Sequence, residues 1–286
     1  MPADAHMPCP NSPSSPLTGL NDLARLNDLP ALSPSAPLAD KRARADGILD
    51  AILAATDGQS GGQMGAGAAV AFTGGKDSTI TLALWRGTFA RAFARATPQP
   101  TDSAAISPLA ISPLAISVDT GLKFPQVTAF RDRLCADWNV RLIVARPDLD
   151  LTAYPVAQNK LVCCRDLKIR PLGRALREND VGALLTGLRR DEAPSRAQRP
   201  YAEWREETAD MPAHWQVNPI LDWTEMDVWA HLTGEGLPYC ELYLEGYRSL
   251  GCMPCTKPAG ADESERAGRD QEKERQLDVL KGLGYF

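Results

Sequence analysis

The six-residue stretch TGGKDS, residues 73–78, follows a short apolar run and precedes a segment of helical character. Two adjacent glycines let the backbone approach a phosphate closely, the N–H groups that open the following helix point at the anion, and Lys76 adds a full positive charge. The stretch is not a Walker loop, because Asp77 follows the lysine and no glycine stands five residues before Gly75. It therefore predicts an anion-binding loop of another kind. The candidate residues are Thr73, Gly74, Gly75, Lys76, Asp77 and Ser78.

Four cysteines occur as two pairs, in VCCRDLKIRPL (162–172) and in GCMPCTKP (251–258). The Cys-x-x-Cys pair places two thiolates within reach of one metal, and the adjacent pair can supply two more where the backbone is bent or helical. Four thiolates suit either a [4Fe–4S] cluster or structural zinc, although zinc ligands are normally two to four residues apart. The candidate metal ligands are Cys163, Cys164, Cys252 and Cys255.

Further polar residues follow predicted strands. Asp119 ends a strand, where open α/β sheets bind ligands, so its carboxylate is a candidate acceptor for ribose or adenine. Capping of the next turn is the structural alternative for Asp119. Arg189, Arg190 and Arg196 offer planar, permanently charged forks suited to sulfate or phosphate oxygens, whereas a solvated surface is the alternative for such an arginine pair.

Strands that alternate with helices must position these residues. Strands are predicted at 68–72, 114–119, 140–145 and 183–187, and helices at 41–56, 77–92, 125–138, after Cys164, and near 263–283. Thr224 and Asp227 have the spacing of a capping box that opens one more helix. The alternation predicts an α/β fold with a doubly wound, mainly parallel sheet and an irregular cysteine-containing C-terminal arm.

Composition narrows the class of protein. The chain of 286 residues has a formal net charge of −5, which gives no overall basic field for nucleic acid. No apolar stretch approaches the roughly 20 residues of a membrane helix, and the first 40 residues lack the pattern of a secretory signal. We expect a cytoplasmic protein without a membrane partner, in which seven reduced cysteines act as ligands, nucleophiles or core residues.

The loop TGGKDS resembles the pyrophosphate-binding loop of the adenine nucleotide α-hydrolase-like superfamily, with threonine where serine is usual. The cysteine spacing resembles the iron–sulfur form of the adenylylsulfate and phosphoadenylylsulfate reductases, and this likeness extends over most of residues 68–269. SVDTGLKFPQ (117–126), TGLRRDEAPSR (186–196) and the run 218–258 are similar to family segments. ESERAGR (263–269) resembles the segment that closes over substrate in that family.

The resemblance implies a [4Fe–4S] cluster on the four paired cysteines and an adenine nucleotide as substrate: adenylylsulfate, phosphoadenylylsulfate or ATP. It implies that Lys168 lies near both cluster and substrate, and thioredoxin or another thiol donor is an expected partner. The resemblance leaves open whether the chain forms an oligomer. The nucleotide-binding residues expected outside the loop are Asp119, Thr120, Gly121, Arg189, Arg190 and Arg196. The expected domains are an arm without regular structure over 1–40, a reductase-like nucleotide-binding domain with the iron–sulfur site over 41–260, and a charged helix or tail over 261–286.

In the reductases a C-terminal Glu-Cys-Gly-x-His tail supplies the nucleophilic thiolate, and no cysteine follows Cys255 here. Three hypotheses follow. A reductase would use another thiol, with Cys240 ranked before Cys9 and with Cys135 expected in a helix core. An adenylating enzyme would activate a carbonyl or carboxylate with ATP for sulfur or ammonia transfer. A non-catalytic protein would bind nucleotide and sense redox state through its cluster.

Overall fold

The computed structural model describes residues 19–56, 67–96 and 112–284. In this part of the chain a six-stranded sheet forms the centre of the molecule. Its strands are β1 Ala68–Ala71, β2 Leu114–Val118, β3 Arg141–Ala145, β4 Ala183–Leu185, β5 Ala202–Arg205 and β6 His214–Val217. Their spatial order is β3-β2-β1-β4-β6-β5, in which β5 runs antiparallel to β6 and the other neighbours are parallel.

Helices cover the sheet and its edges. They are α1 Leu38–Thr56, α2 Lys76–Ala96, α3 Pro125–Asp137, α4 Lys160–Cys164, α5 Arg170–Glu178, α6 Glu225–Gly234, α7 Gln271–Arg275 and α8 Leu277–Gly282. A π-helical turn, Arg165–Ile169, joins α4 to α5 into one helical segment. Within the described ranges no helix is long and apolar enough to span a membrane.

The sequence of the central strands explains their position. Every residue of β1 and β4 is buried and apolar, as expected for parallel strands covered on both faces. One hydrophobic cluster packs α1, α2 and α3 against one face, and a second packs α5 against the other. The predicted doubly wound, mainly parallel α/β fold is confirmed. The order of strands along the sheet reverses between β1 and β4, which remain parallel. A crevice therefore opens at the carboxyl ends of these two strands.

The N-terminal region differs from the expected unstructured arm. Residues 20–28 form a 3-10 helix whose Leu23 and Leu26 are fully buried, and α1 begins at Leu38. Asn27 accepts a hydrogen bond from the backbone N–H of Ala202 and donates one to its carbonyl, so this helix covers the edge strand β5. The apolar residues of this segment are too few to show a helical period in the sequence. Their regular structure therefore depends on tertiary packing. Residues 1–18, with Cys9, lie outside the described residues.

The C-terminal region also differs in detail. The helix expected near 263–283 is two short helices, α7 and α8, preceded by a segment of turns. Strands β5 and β6, which the sequence analysis did not predict, extend the sheet beyond β4. The cysteines of the first pair lie on α4 itself, so the predicted helix after Cys164 begins earlier, at Lys160.

Candidate functional site

The glycine loop leaves β1 at the centre of the sheet and enters α2. Gly74 has φ of 79°, and a Cβ there would lie 2.9 Å from the Val127 side chain, so the tight turn requires glycine. Gly187, which follows β4, packs so closely that a Cβ would lie 2.7 Å from the Asp77 backbone. The two glycines therefore allow the loop after β1 and the loop after β4 to meet at the crevice.

Internal hydrogen bonds hold the loop in shape. The Thr73 N–H donates to Ser78 Oγ at 3.2 Å, and Ser78 Oγ donates to the Gly75 carbonyl at 2.9 Å. The Lys76 N–H donates to the Tyr243 hydroxyl at 2.8 Å. The sequence analysis did not single out Tyr243. This residue of the cysteine-containing arm thus accepts a hydrogen bond from the first N–H of α2. The loop thus has the shape of an anion site in which the Lys76 N–H already has a partner within the protein.

Two adjoining cavities lie at the carboxyl ends of the strands and share Ala71, Thr73, Leu250 and Arg269. The first cavity has an apolar wall and approaches the cysteines. Its other lining residues include Ile116, Val118, Thr120, Lys123, Lys168 and Leu172. The second cavity is more polar and follows the glycine loop and the arginine-rich loop. Its other lining residues include Gly75, Asp77, Ser78, Glu192, Arg196 and Arg266. Together they form a cleft of amphipathic character, as a nucleotide site requires.

Lys76 and Arg189 lie behind the wall of this cleft. Both side chains are essentially inaccessible to solvent, at 1% and 0% exposure. Lys76 Nζ contacts one carboxylate oxygen of Glu265, and Arg189 Nη2 contacts the other. Asp77 closes the ring, at 3.2 Å from Lys76 Nζ and 2.6 Å from Arg189 Nε. Burial lowers the pKa of Lys76, but the negative groups Asp77 and Glu265 outweigh it and leave that pKa raised, so the ammonium stays charged.

The three predicted arginines separate in space. Arg196 lines the cleft and pairs with Glu192, whereas Arg189 belongs to the buried ring. Arg190 points to the opposite side, where it pairs with Asp222 and lies over the Tyr201 ring at 5.2 Å. Its expected place in the anion site is therefore not observed, because Arg190 opens a 3-10 turn that directs successive side chains apart.

The Asp-Thr-Gly segment shows a division of roles. Asp119 Oδ1 accepts the Gly121 N–H at 3.1 Å, and Asp119 Oδ2 lies 3.3 Å from Arg146, so this carboxylate caps its own turn. Gly121 provides the positive φ of 72° that the turn needs. Thr120 lines the cleft and lies 3.2 Å from Cys252 Sγ. The contact with the cleft thus comes from Thr120 rather than from Asp119.

The paired cysteines approach each other from two elements, α4 and the 3-10 turn Met253–Cys255. Cys252 interacts electrostatically with Cys163 and with Cys255. Burial raises the pKa of Cys252, but Lys168, Lys123 and a hydrogen bond with Thr120 outweigh it and lower that pKa to about 6. Among the described residues, no group of three or more Cys, His, Asp or Glu lies in an arrangement that could hold a metal ion. The four-cysteine ligand set stays a prediction.

The chemistry of the donor set nevertheless fits an iron–sulfur cluster. Four thiol groups arrive in two pairs, and lysines face them: Lys160 and Lys168 both interact electrostatically with Cys255, and Lys168 also with Cys163. Burial raises the pKa of Cys163 and of Cys255, and the nearby lysines oppose this rise only in part. Positive charge favours the thiolate, which is the form that binds iron. Lys168 also lines the cleft beside the cysteines, and its role at a cluster and a nucleotide stays a prediction.

Arg269 is the cleft residue that the sequence analysis named only as part of a segment. It lines both cavities, is 6% exposed, and its Nε has no hydrogen-bond partner in the structure. The close packing of the guanidinium leaves no room for a side chain at Gly251, where a Cβ would lie 2.7 Å from Arg269 Nη2. A buried guanidinium that lines a cleft and keeps one N–H without an acceptor is suited to an anionic ligand.

The expected nucleophile Cys240 does not line the cleft. It is 1% exposed and belongs to the hydrophobic core beside Leu242, away from the residues that line the cleft. Burial raises the pKa of Cys240, and burial raises the pKa of Cys135 to about 12. Both thiols are therefore protonated core groups at neutral pH. The first-ranked position of Cys240 is corrected, because the turn that follows it directs its sulfur inward.

Comparison with known proteins adds independent findings. The family model described as "Phosphoadenosine phosphosulfate reductase domain" matches residues 67–258. The chain is 36% identical over 165 residues to an adenosine 5'-phosphosulfate reductase of Neisseria meningitidis serogroup B, covering 54% of this chain and 65% of that protein. It is 39% identical over 165 residues to a reductase of the same name from Mycobacterium bovis, covering 54% of this chain and 62% of that protein.

The chain thus spans less than two thirds of the length of these relatives. Among solved structures, the FMN adenylyltransferase of Candida glabrata in complex with FAD and inorganic pyrophosphate has a TM-score of 0.59 at 16% identity. That likeness covers 93% of this chain and 90% of the other, and it shows that the two proteins share a fold.

Proposed function

Because this chain belongs to the phosphoadenosine phosphosulfate reductase domain family, we propose that it reduces adenylylsulfate to sulfite and AMP with electrons from thiols. The observation that carries the proposal is Arg269, a buried guanidinium whose Nε has no hydrogen-bond partner and which lies between the cysteine side and the glycine-loop side of the cleft. A sulfate or phosphate oxygen would provide its missing acceptor. The names of the relatives favour the nucleotide without a 3′-phosphate.

Other residues of the cleft complete the binding site in this proposal. Arg196 and Arg266 line the polar cavity, and the start of α2 directs its positive end toward the same cavity. Lys168 faces the cysteine side and is placed to stabilise negative charge on the sulfate. Ile116 and Val118 provide an apolar wall suited to a base or ribose.

The reaction requires a thiolate that attacks the sulfate sulfur. The bond from sulfur to the bridging oxygen breaks, AMP leaves with that oxygen, and the thiol becomes an S-sulfonate. A second thiolate then attacks the sulfonated thiol sulfur, which releases sulfite and forms a disulfide, so two thiols provide both electrons. Cys135 and Cys240 are buried core residues. The proposal therefore takes the nucleophile from outside the described residues, either from Cys9 or from a separate thiol donor.

The proposal includes a [4Fe–4S] cluster held by Cys163, Cys164, Cys252 and Cys255. Such a cluster would supply a charged iron–sulfur group next to Lys168 and Thr120. We expect anaerobically purified protein to be brown and to contain about four iron and four sulfide per chain. Replacing Cys255 by serine should lower both contents, whereas replacing the core residue Cys135 should not. Colourless protein with one stoichiometric zinc would contradict this ligand assignment.

The deciding experiment supplies adenylylsulfate, its 3′-phosphorylated form or ATP to the intact protein with a dithiol or reduced thioredoxin. The expected result is thiol-dependent release of AMP and sulfite from adenylylsulfate in equal amounts. The matched control omits the thiol, and it should release no sulfite and at most one AMP per chain, the single turnover that Cys9 as nucleophile would allow. If adenylylsulfate gives no AMP while ATP is converted to AMP and pyrophosphate with a second substrate, the adenylating hypothesis replaces the reductase.

A further inference from the structure

Residues 257–270 form a loop of turns that leaves the cysteine arm, reaches the nucleotide cleft and returns, and we call it the strap. Its two ends pair beside the cysteines, where the Lys257 N–H donates to the Gly268 carbonyl at 2.8 Å and the Asp270 N–H donates to the Cys255 carbonyl at 3.1 Å. Arg248 holds the middle by donating to the carbonyls of Gly260 and Ala261 at 3.3 and 3.2 Å. The strap thus carries Arg266 and Arg269 to the cleft.

The strap has one buried carboxylate, that of Glu265, at 7% exposure. Its two oxygens accept hydrogen bonds from Lys76 Nζ of the glycine loop and from Arg189 Nη2 of the loop after β4. Asp77 bridges the same two cations, so two acids and two bases form a closed, charge-balanced ring. Removing one member of such a ring leaves an uncompensated buried charge, which is strongly destabilising locally.

Three of the four ring residues lie behind the cleft, and Asp77 is the ring residue that also lines it. The cavity walls that the described residues form include Arg266 and Arg269 but none of Lys76, Arg189 and Glu265. Arg269 follows Glu265 by four residues, and the Arg269 N–H donates to the Arg266 carbonyl at 2.9 Å, so a displacement of Glu265 moves both cleft arginines. The lysine of the glycine loop is therefore placed to hold the strap and not to touch a ligand in the cleft.

We propose that Glu265 is a positioning residue, which anchors the strap through Lys76 and Arg189 and thereby places Arg269 and Arg266 against the substrate's anionic end. Lys76 acts as the anchor's counter-charge and not as a direct ligand of the nucleotide. The anchoring itself is independent of the enzyme's reaction. The effect of the anchor on affinity for the nucleotide rests on the proposed function. Anchoring of the strap and affinity are therefore measured separately.

The first measurement is hydrogen exchange of the strap amides in the intact protein. Glu265→Gln and Lys76→Met should each accelerate exchange over residues 257–270 by about tenfold or more, with amides of β1 and β4 unchanged. Lys76→Arg should retain protection because it keeps the charge. Glu272→Gln, at an exposed position on α7, is the matched control and should behave as wild type. Unchanged strap protection in Glu265→Gln would overturn the anchor.

The second measurement is the calorimetric affinity for adenylylsulfate in a double-mutant cycle. An anchor requires that Lys76→Met weakens binding in the wild-type background but adds little in Glu265→Gln, where the strap is already released. The same fold-loss from Lys76→Met in both backgrounds would show that Lys76 is a direct ligand and would refute the proposal. If wild-type protein does not bind adenylylsulfate, the proposed function fails, while the exchange data still decide whether Glu265 anchors the strap.

Discussion

Neighbouring arginines in one loop serve different parts of this molecule. Arg189 completes the buried ring behind the cleft, whereas Arg190 pairs with Asp222 and covers Tyr201 on the far side. Asp222 also accepts hydrogen bonds from Tyr201 and from the Leu32 N–H, so Arg190 connects the loop to the N-terminal region. The adjacent pair in the sequence predicted an anion clamp, and only its first member faces the glycine loop.

Arg190→Met should therefore reduce stability without affecting the ligand. We expect a loss of about 1–3 kcal/mol in the free energy of unfolding, because Asp222 keeps a buried charge with one partner removed. Urea unfolding measures the loss, and titration with adenylylsulfate should give the wild-type affinity. A large loss of affinity at unchanged stability would return Arg190 to the binding site.

Arg269→Lys should instead weaken binding of the ligand and leave stability unaffected. Lysine keeps the charge but cannot present the planar fork that binds two oxygens of one anion. The expected loss is about 1.5–3 kcal/mol, the range for hydrogen bonds to charged groups, or roughly 10- to 150-fold in affinity. Arg275→Lys, at an exposed position on α7, is the matched control. Equal affinity in both lysine variants would exclude Arg269 as a ligand of the anion.

At the scale of elements, the start of α6 is joined to α1 through the α6 cap. Thr224 caps α6 by accepting the Asp227 N–H at 3.2 Å, and Asp227 Oδ2 accepts the Thr224 N–H at 2.7 Å. Lys41 of α1, which is buried, pairs with the same carboxylate at 2.5 Å. One capping residue thus also fixes the packing of α1 against α6.

Thr224→Ala should cost about 1 kcal/mol of stability, the usual value for a lost N-cap. Asp227→Ala should cost more, because it removes the second cap bond and leaves the Lys41 ammonium without its carboxylate. The free energy of unfolding in urea measures both, and Thr233→Ala, at an exposed position near the end of α6, is the control. Equal losses for Thr224→Ala and Asp227→Ala would show that the Lys41 pair contributes nothing.

The elements that the sequence predicted well carry their own local signals. The capping box of α6 is confirmed, and the apolar runs of β1 to β4 predicted the parallel sheet. Strands β5 and β6 have mixed residues such as Glu203 and Gln216, whose places depend on the pairing of β6 with β4 and of β5 with β6 rather than on a period. The ion-pair ring could not be predicted from the sequence either. Glu265 and Lys76 are far apart in the chain, and charge alone does not specify which residues pair.

At the scale of the whole molecule, the nucleotide site depends on contacts between distant parts of the chain. The glycine loop, the loop after β4 and the strap meet at one carboxylate, and the N-terminal helix covers the far edge of the sheet. Cooperative unfolding is expected when so many long-range contacts are shared. The pH dependence of this unfolding therefore reports on buried titratable groups throughout the molecule.

Two buried histidines make this dependence measurable. Burial lowers the pKa of His214, whose Nδ1 lies 2.8 Å from the Pro212 carbonyl, and burial and Arg42 lower the pKa of His231. Both pKa values lie below the ordinary value of about 6.5 that an unfolded chain has. Below pH 6.5 the unfolded chain therefore binds more protons than the folded one, and the stability present above this pH is lost as the pH falls.

We expect the two histidines to lower the free energy of unfolding as the pH falls below 6.5, by up to about 1.4 kcal/mol per pH unit for each histidine. Carboxylates with lowered pKa values, such as Asp227 and Glu274, lose their contribution only in more acidic solution. Urea unfolding at pH 7.5, 6.5 and 5.5 measures the slope. His214→Gln, which keeps a donor for the Pro212 carbonyl but does not titrate, should reduce the slope between pH 6.5 and 5.5. A slope that does not differ between His214→Gln and the wild type would show that His214 ionises equally in the folded and unfolded chains.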